Sequence, residues 1–229
     1  MATRGPMVPG EWYHCFNRGV DKRRVFQSKF DYERFLALMY LCNGTNENAV
    51  SDRRDTSLKS ILKDSNIDRG ESLVEIGAYA LMPNHPHFIF KEIRQGGAAS
   101  FMRKLFTGYT MYFNKKHGRA GALFAGAFKS RHIYNDLYLK RAMAYVLLNP
   151  ADLFESRWKD GVADIKSLEE KLLSYQYASV ADFFGKDRFE GKIVNFSVPE
   201  FYDDPPKVRD MLEDARAYYA DISVTNTGR

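Results

Sequence analysis

Two runs of strand-forming residues separated by Pro83-Asn84 constrain the fold of this chain more than any other feature. Residues 71–82 (ESLVEIGAYALM) are rich in apolar and β-branched side chains. Pro83-Asn84 is a turn signal, and residues 85–93 (HPHFIFKEI) return as a second strand. A hairpin of this kind fixes an antiparallel pair, and the flanking segments then determine what the pair joins. Residues 11–16 read as an earlier strand, closed by Asn17-Arg18-Gly19. Residues 31–41 (DYERFLALMYL) carry apolar side chains at helical spacing behind an acidic start. After Gly96-Gly97 comes a helix over 98–117, then a glycine-rich stretch and a strand over 127–134. A last helix, capped by Asn135 or Asp136, runs to Asn149 and ends before Pro150. The first six elements follow the ferredoxin-like order. The predicted class is α+β: an antiparallel sheet with helices packed on one face, followed by a mainly helical C-terminal extension. In that extension 165–173 and 208–220 read as helices, and 180–185 as a short aromatic segment. Residues 43–70 are polar, with a short helix near 58–62, and read as a surface excursion.

Composition excludes several classes. The 229 residues are 45% apolar and 14% aromatic, enough to fill a core and unlike a disordered chain. No apolar run approaches the roughly 20 residues that span a bilayer, and the N-terminus lacks the apolar stretch of a secretory signal. A cytoplasmic protein without a membrane partner is therefore expected. Cys15 and Cys42 form no metal or disulfide pattern and read as small apolar side chains.

Charge is distributed unevenly. Between Phe101 and Arg141 lie Arg103, Lys104, Lys115, Lys116, Arg119, Lys129, Arg131, Lys140 and Arg141 against the single acid Asp136. Residues 151–229 carry sixteen acids and eleven bases. A basic middle beside an acidic C-terminal region points to a polyanion partner. Arg103, Lys104, Lys115, Lys116 and Arg119, with Arg18, Lys129 and Arg131 outside that helix, are the candidate phosphate contacts. Phe106, Tyr109, Tyr112 and Phe113 are interleaved with the helical charges and could stack bases, but their spacing is also that of an apolar helix face. Most of them are expected in the core.

The residues with distinctive chemistry are few. His85 and His87 are two apart on a strand, so both imidazoles leave the same face and could share one divalent ion. A lone His-x-His is weak evidence. Pro86 between them has no N–H for a sheet ladder and requires an edge or a strand start. Two histidines also leave a metal under-coordinated. Tyr145 and Asn149 are four apart on the last helix and therefore neighbours on one helical face. A phenol nucleophile and a carboxamide ligand would then lie close together, although a residue before proline tends to leave the helical region. Read singly, Tyr145 belongs to an apolar stripe with Leu137, Met143, Leu147 and Leu148, and Asn149 is a helix end. His14 could lie beside the pair on a neighbouring strand, where a structural role is expected.

Five stretches in order carry a resemblance. They are 13–19 (YHCFNRG), 80–88 (ALMPNHPHF), 101–105 with 109–114 (FMRKL, YTMYFN), 121–129 (GALFAGAFK) and 144–150 (AYVLLNP). Together the chain from Met7 to Leu153 resembles the REP-associated tyrosine transposases of the single-tyrosine HUH superfamily. The resemblance implies a ferredoxin-like catalytic domain over 1–153 and a helical extension over 154–229. It implies His85, His87 and Asn149 as ligands of Mg²⁺ or Mn²⁺, and Tyr145 as catalytic nucleophile. It also implies single-stranded DNA hairpins as partner, cut and rejoined through a 5′-phosphotyrosine link, by a monomer or homodimer. The chain departs from the family at Pro86, where a bulky aliphatic is usual, at Ala127, where Arg is frequent, and at Asp152, where a basic residue is frequent. The alternative from the same residues is a domesticated hairpin-binding protein without cleavage. A metallohydrolase using water, and a purely structural protein, are the remaining readings.

Overall fold

A computed structural model of the chain describes residues 6–46, 57–195 and 206–227, with side chains to residue 223. Part of the polar 43–70 stretch, namely 47–56, and residues 196–205 of the C-terminal extension lie outside the described residues. In chain order the elements are β1 (Trp12–Phe16), α1 (Lys29–Cys42), α2 (Leu58–Lys63), β2 (Val74–Met82), β3 (His85–Glu92), α3 (Gly97–Lys116), β4 (Lys129–Ile133) and α4 (Asp136–Leu148). Helix α5 (Ala151–Phe154) straddles the expected start of the extension, which then adds α6 (Ile165–Ser174), α7 (Val180–Phe183) and α8 (Val208–Thr227).

The strands form one four-stranded sheet in the order β2-β3-β1-β4, antiparallel at every pairing. This is the ferredoxin-like order expected from the sequence. The Pro83-Asn84 turn joins β2 to β3 so that Met82 pairs with His85 and Leu81 with Pro86. Pro86 is the second residue of β3 and lies beyond the last β1 pairing, Phe16 with His87. Its missing N–H therefore costs no ladder bond on the β1 side, while its carbonyl still accepts from Asn17 N–H.

Alternation along the strands divides the interior into two cores. Tyr13 and Cys15 of β1 and Phe88 and Phe90 of β3 face α1 and α3, packing with Phe35, Met39, Phe101, Leu105 and Tyr109. Trp12 and Ile89 face the other way, toward α4, α6 and α8. On β2 a register irregularity between Ile76 and Ala78 shifts the alternation by one residue. Ile76 and Tyr79 consequently share the first core, while Ala78 and Ala80 line the second. The sequence places helices on one face, and α1 and α3 occupy it. The other face is covered as well, because α4 and α8 pack together there.

Local signals explain most boundaries. Asp31 near the start of α1 accepts N–H bonds from Gln27 (2.8 Å) and Ser28 (2.9 Å), satisfying donors at the helix start. Asn135 Oδ1 caps α4 by accepting from Tyr138 N–H at 2.8 Å. Gly96, at φ +76°, gives the left-handed residue by which the chain swings from β3 into α3. Cys15 is buried and Cys42 partly so, and neither forms a disulfide among the described residues.

The C-terminal extension is fastened to the sheet by hydrogen bonds. Along the outer edge of β2, Leu81 N–H donates to the Tyr177 carbonyl and Ser179 N–H to the Tyr79 carbonyl. Ser179 Oγ accepts from Tyr79 N–H at 2.9 Å. A buried ion pair between Arg188 and Asp182 holds this segment together. Covering an edge strand in this way also blocks edge-to-edge association.

Asp31 gives a testable measure of how α1 and α3 are joined. Burial alone would raise its carboxyl, but the Lys116 ammonium (2.6 Å) and the Gln27 and Ser28 N–H groups outweigh it and hold the pKa below the usual value. A depressed carboxylate contributes stability that is complete above its ordinary pKa of about 4 and is lost as pH falls through the lowered value. Asp31→Asn is expected to cost about 2 kcal/mol at pH 7 and to flatten the acid side of a denaturation series run between neutral pH and pH 3.

Candidate active site

His85 and His87 leave the face of β3 that turns toward α4, with ring centroids 4.8 Å apart. In register, Phe16 of β1 and Ala80 of β2 stand beside His87. His14, two residues before Phe16, projects from the same face, and its Nε2 meets His87 Nδ1 at 2.9 Å. The other His14 nitrogen, Nδ1, meets the Tyr218 phenol of α8 at 2.9 Å. His85 Nδ1 is held by the Asn84 side-chain oxygen at 2.5 Å.

Helix α4 crosses above these imidazoles. Its Tyr145 ring lies 5.7 Å from the His87 ring and 5.8 Å from the His14 ring, edge-on to both. Asn149 follows one turn later and is 1% exposed. Its backbone stays helical, at φ −52° and ψ −35°, although Pro150 follows. The sequence expectation that a pre-proline residue leaves the helical region is overturned at this position. The Asn149 carbonyl accepts from Asp152 N–H at 3.2 Å, and Pro150 starts the short helix α5, so the turn is carried through. The Asn149 Oδ1 atom is buried and has no hydrogen-bond partner among the described residues.

The electrostatics keep the imidazoles neutral. Burial, reinforced by the Arg131 charge, pushes His14 down to about 3. Burial, with Arg18 and Lys159 adding to it against Asp152, pushes His85 down to about 4. His87 falls well below its ordinary value through burial and the neighbouring His85 and His14 rings. Neutral rings keep a lone pair available at one nitrogen each. Tyr145 moves in the opposite sense. Burial, reinforced by Asp152, pushes the phenol up to about 12, while the Asn149 side chain pulls the other way. The ring is 7% exposed, with Tyr218 at 5.3 Å and Tyr219 at 6.5 Å against it.

The candidate basic residues divide into two groups. Arg18, Lys129 and Arg131 lie around the imidazoles. Lys129 pairs in register with Phe16 and Arg131 with His14, so both project from the histidine face. The Arg18 charge reaches His85 and His87. Arg103, Lys104, Lys115 and Lys116 belong to α3 on the opposite face of the sheet, and Arg119 follows that helix. The structure does not bring these five to the imidazoles. Three of them are engaged internally: Lys104 with the Gly44 carbonyl (3.0 Å), Lys116 with Asp31, and Arg119 with Asn114 (2.6 Å). The physical reason is strand alternation, which sends residues 85 and 87 to one side and the apolar positions that receive α3 to the other. Of the interleaved aromatics, Tyr109 and Phe113 are buried, and Phe106 and Tyr112 pack partly buried against the same core.

Residues that the sequence did not mark as site candidates also reach the site. Asp152, one turn past Asn149, accepts from Trp158 Nε1 (2.7 Å) and from Lys159 Nζ (3.1 Å). Lys159 Nζ lies 4.4 Å from the centre of the Tyr219 ring. Asp152 stands where a basic residue was the resemblance's expectation, and Lys159 supplies a cation from the following loop. Tyr218 arrives from α8, more than two hundred positions from His14, and no local pattern announces it. Among the described residues no group of three or more His, Cys, Asp or Glu side chains is placed to hold a metal ion. A metal here would need the Asn149 carboxamide.

No protein-family model and no curated protein matches the chain. Among solved structures it is similar to a REP-associated tyrosine transposase bound to a REP hairpin. That similarity has a TM-score of 0.49 and 13% identity, over 86% of this chain and 95% of the other. The fold itself rests on the strand order and register described above.

Because Tyr145 is held neutral, its linkage has a definite sign. A raised tyrosine pKa contributes stability that is complete below the ordinary value of about 10 and is lost as pH rises through the raised value. Tyr145→Phe keeps the ring and is expected to change stability at pH 7 by no more than about 1 kcal/mol. It should also diminish the loss of thermal stability between about pH 10 and pH 12, the value to which the phenol is pushed. Calorimetry across that range checks both.

Proposed function

We propose that this chain is a metal-dependent enzyme that nicks and rejoins single-stranded DNA beside hairpins, of the REP-associated tyrosine transposase type. One observation carries the reading. A phenol and a buried carboxamide oxygen with no partner among the described residues sit one turn apart on α4, and the phenol ring packs against the neutral imidazoles of His87 on β3 and His14 on β1. The five ordered sequence stretches that resemble this family supply every one of those groups.

The donor set suits a divalent cation. His85 and His87 offer nitrogen lone pairs, and Asn149 Oδ1 is a buried acceptor with no donor among the described residues. Leaving such an atom unpaired is costly, by about 1–3 kcal/mol, and a ligand explains its retention. Two imidazoles and one amide form an incomplete shell that leaves positions for phosphate oxygens, and its nitrogen donors fit Mn²⁺ better than the oxygen-preferring Mg²⁺. When bound, the cation would polarise the scissile phosphate and steady the departing oxygen.

The chain's own groups then do the rest. Tyr145 Oη attacks phosphorus, the new O–P bond forms, and the bond from phosphorus to the 3′ oxygen breaks. The phenol proton is lost to solvent and the 3′ oxygen leaves as a hydroxyl. The 5′ end stays covalently on Tyr145, so a second 3′-hydroxyl can reverse the step and join strands. Arg18, Lys129 and Arg131 are the cations on the correct face to hold phosphates. Tyr145 lies beside His87 of its own chain, which supports attack by the tyrosine of the same chain. No helix among the described residues is long and apolar enough to cross a membrane.

A labelled single-stranded hairpin with Mn²⁺ tests the reading. A covalent protein–DNA adduct that survives denaturing electrophoresis is expected, and Tyr145→Phe should reduce it by about 10³-fold or more. Tight binding without any adduct supports the domesticated binder instead. Cleavage that persists in Tyr145→Phe indicates a water nucleophile. In a separate salt titration, Arg18→Ala and Lys129→Ala should each lower the slope of log affinity against log salt by about 0.7 for single strands. Arg103→Ala and Lys115→Ala, on the far face, should change it less.

A further inference from the structure

We propose that His14 is a positioning residue that locks His87 in the tautomer presenting Nε2 to the cation, with Tyr218 of α8 completing the relay. The inference rests on the metal-dependent reading above and deepens it, since neither the HUH pattern nor the resemblance gives His14 a part.

The geometry is a buried chain of three side chains: His87 Nδ1 to His14 Nε2 at 2.9 Å, then His14 Nδ1 to the Tyr218 phenol at 2.9 Å. His14 is 1% exposed and His87 6%, so water does not substitute for either contact. A neutral imidazole carries one N–H, and a contact between two ring nitrogens needs one. Only two arrangements satisfy the chain. In one, the proton sits on His87 Nδ1 and is donated to His14, which donates from its own Nδ1 to the Tyr218 oxygen. His87 Nε2 is then a bare lone pair. In the other, Tyr218 donates to His14, His14 donates to His87 Nδ1, and Nε2 carries the proton and cannot ligate.

Arg131 lies directly across from His14 on β4 and opposes any extra positive charge there, which fits one proton per ring in either arrangement. The first arrangement is favoured because the Tyr218 hydroxyl has the neighbouring Tyr138 phenol to receive its own proton, leaving its oxygen to accept from His14. His85 is keyed in the same sense by a different partner. Its Nδ1 donates to the Asn84 side-chain oxygen, leaving its Nε2 free. Both rings of the pair thus have Nδ1 tied from behind and Nε2 turned outward. Ligand histidines whose second nitrogen is fixed in this way bind metal more tightly, and removal of the fixing group typically costs 10–100-fold in affinity. The His14 and His87 rings lie side by side and nearly coplanar, 5.1 Å between centroids, the geometry in which a hydrogen bond between ring nitrogens is well aligned.

The test uses the full chain and Mn²⁺ alone, with free Mn²⁺ counted by electron paramagnetic resonance. Wild type should bind one Mn²⁺. His14→Leu should weaken binding roughly 10–100-fold and Tyr218→Phe by a smaller factor, while His14→Gln, whose side-chain oxygen can accept the His87 Nδ1 proton, should recover most of the loss. Unchanged Mn²⁺ affinity in folded His14→Leu overturns the inference and leaves the proposed function standing. Absence of Mn²⁺ binding by wild type removes the metal reading and this inference together. If the leucine variant does not fold, long-range ¹H–¹⁵N correlation spectra of the wild-type imidazoles decide. A His87 signal of the Nδ1–H form supports the relay, and an Nε2–H form overturns it.

Discussion

The site depends on the two-residue period of β1 and β3. Successive side chains of a strand point to opposite faces, so His14 on β1 and His85 and His87 on β3 emerge together on one side. Cys15, Phe88 and Phe90 emerge on the other and are sealed under α1 and α3. The same alternation anchors and aims the imidazoles. A shift of one residue in the β1–β3 register would bury the histidines among phenylalanines and turn the apolar set toward α4. The irregularity in β2 shows how firmly the pattern is enforced. The strand absorbs an extra residue and still keeps the small Ala78 and Ala80 on the side where α4 must approach closely.

Much of this is legible in the sequence. The hairpin at Pro83-Asn84, the capped helix from Asp136 and the strand–helix order were visible as turn chemistry and periodicity, and these are local properties. His85 and His87 could be placed on a shared face from spacing alone, as could Tyr145 and Asn149. What spacing could not supply was the relation between the two pairs, because that is set by how α4 crosses the sheet.

The less legible parts have a common cause. The basic residues of α3 were grouped with Lys129 and Arg131 because they are near in sequence, yet a sheet lies between them. Sequence proximity says nothing about which face of a sheet a connecting helix will cover. Tyr218 and Lys159 were invisible for the converse reason. They reach the site through tertiary packing of the extension, and a tyrosine in an apolar helix stripe looks the same whether or not its hydroxyl meets a histidine. The helical backbone at Asn149 is a further case in which packing prevailed over a local preference. The bond from Asp152 N–H and the burial of the carboxamide outweigh the steric pressure that proline exerts on its predecessor.

The proposed nucleophile and the third proposed ligand share a single rigid rod. Tyr145 and Asn149 are separated by one turn of α4, and the rod is clasped by α8 through Tyr218 and its neighbours. Sliding or tilting that rod would carry the phenol and the carboxamide away from the imidazoles at the same time. Neither can leave without the other, so under the proposed function a cation would not be fully gripped while the attacking oxygen is elsewhere.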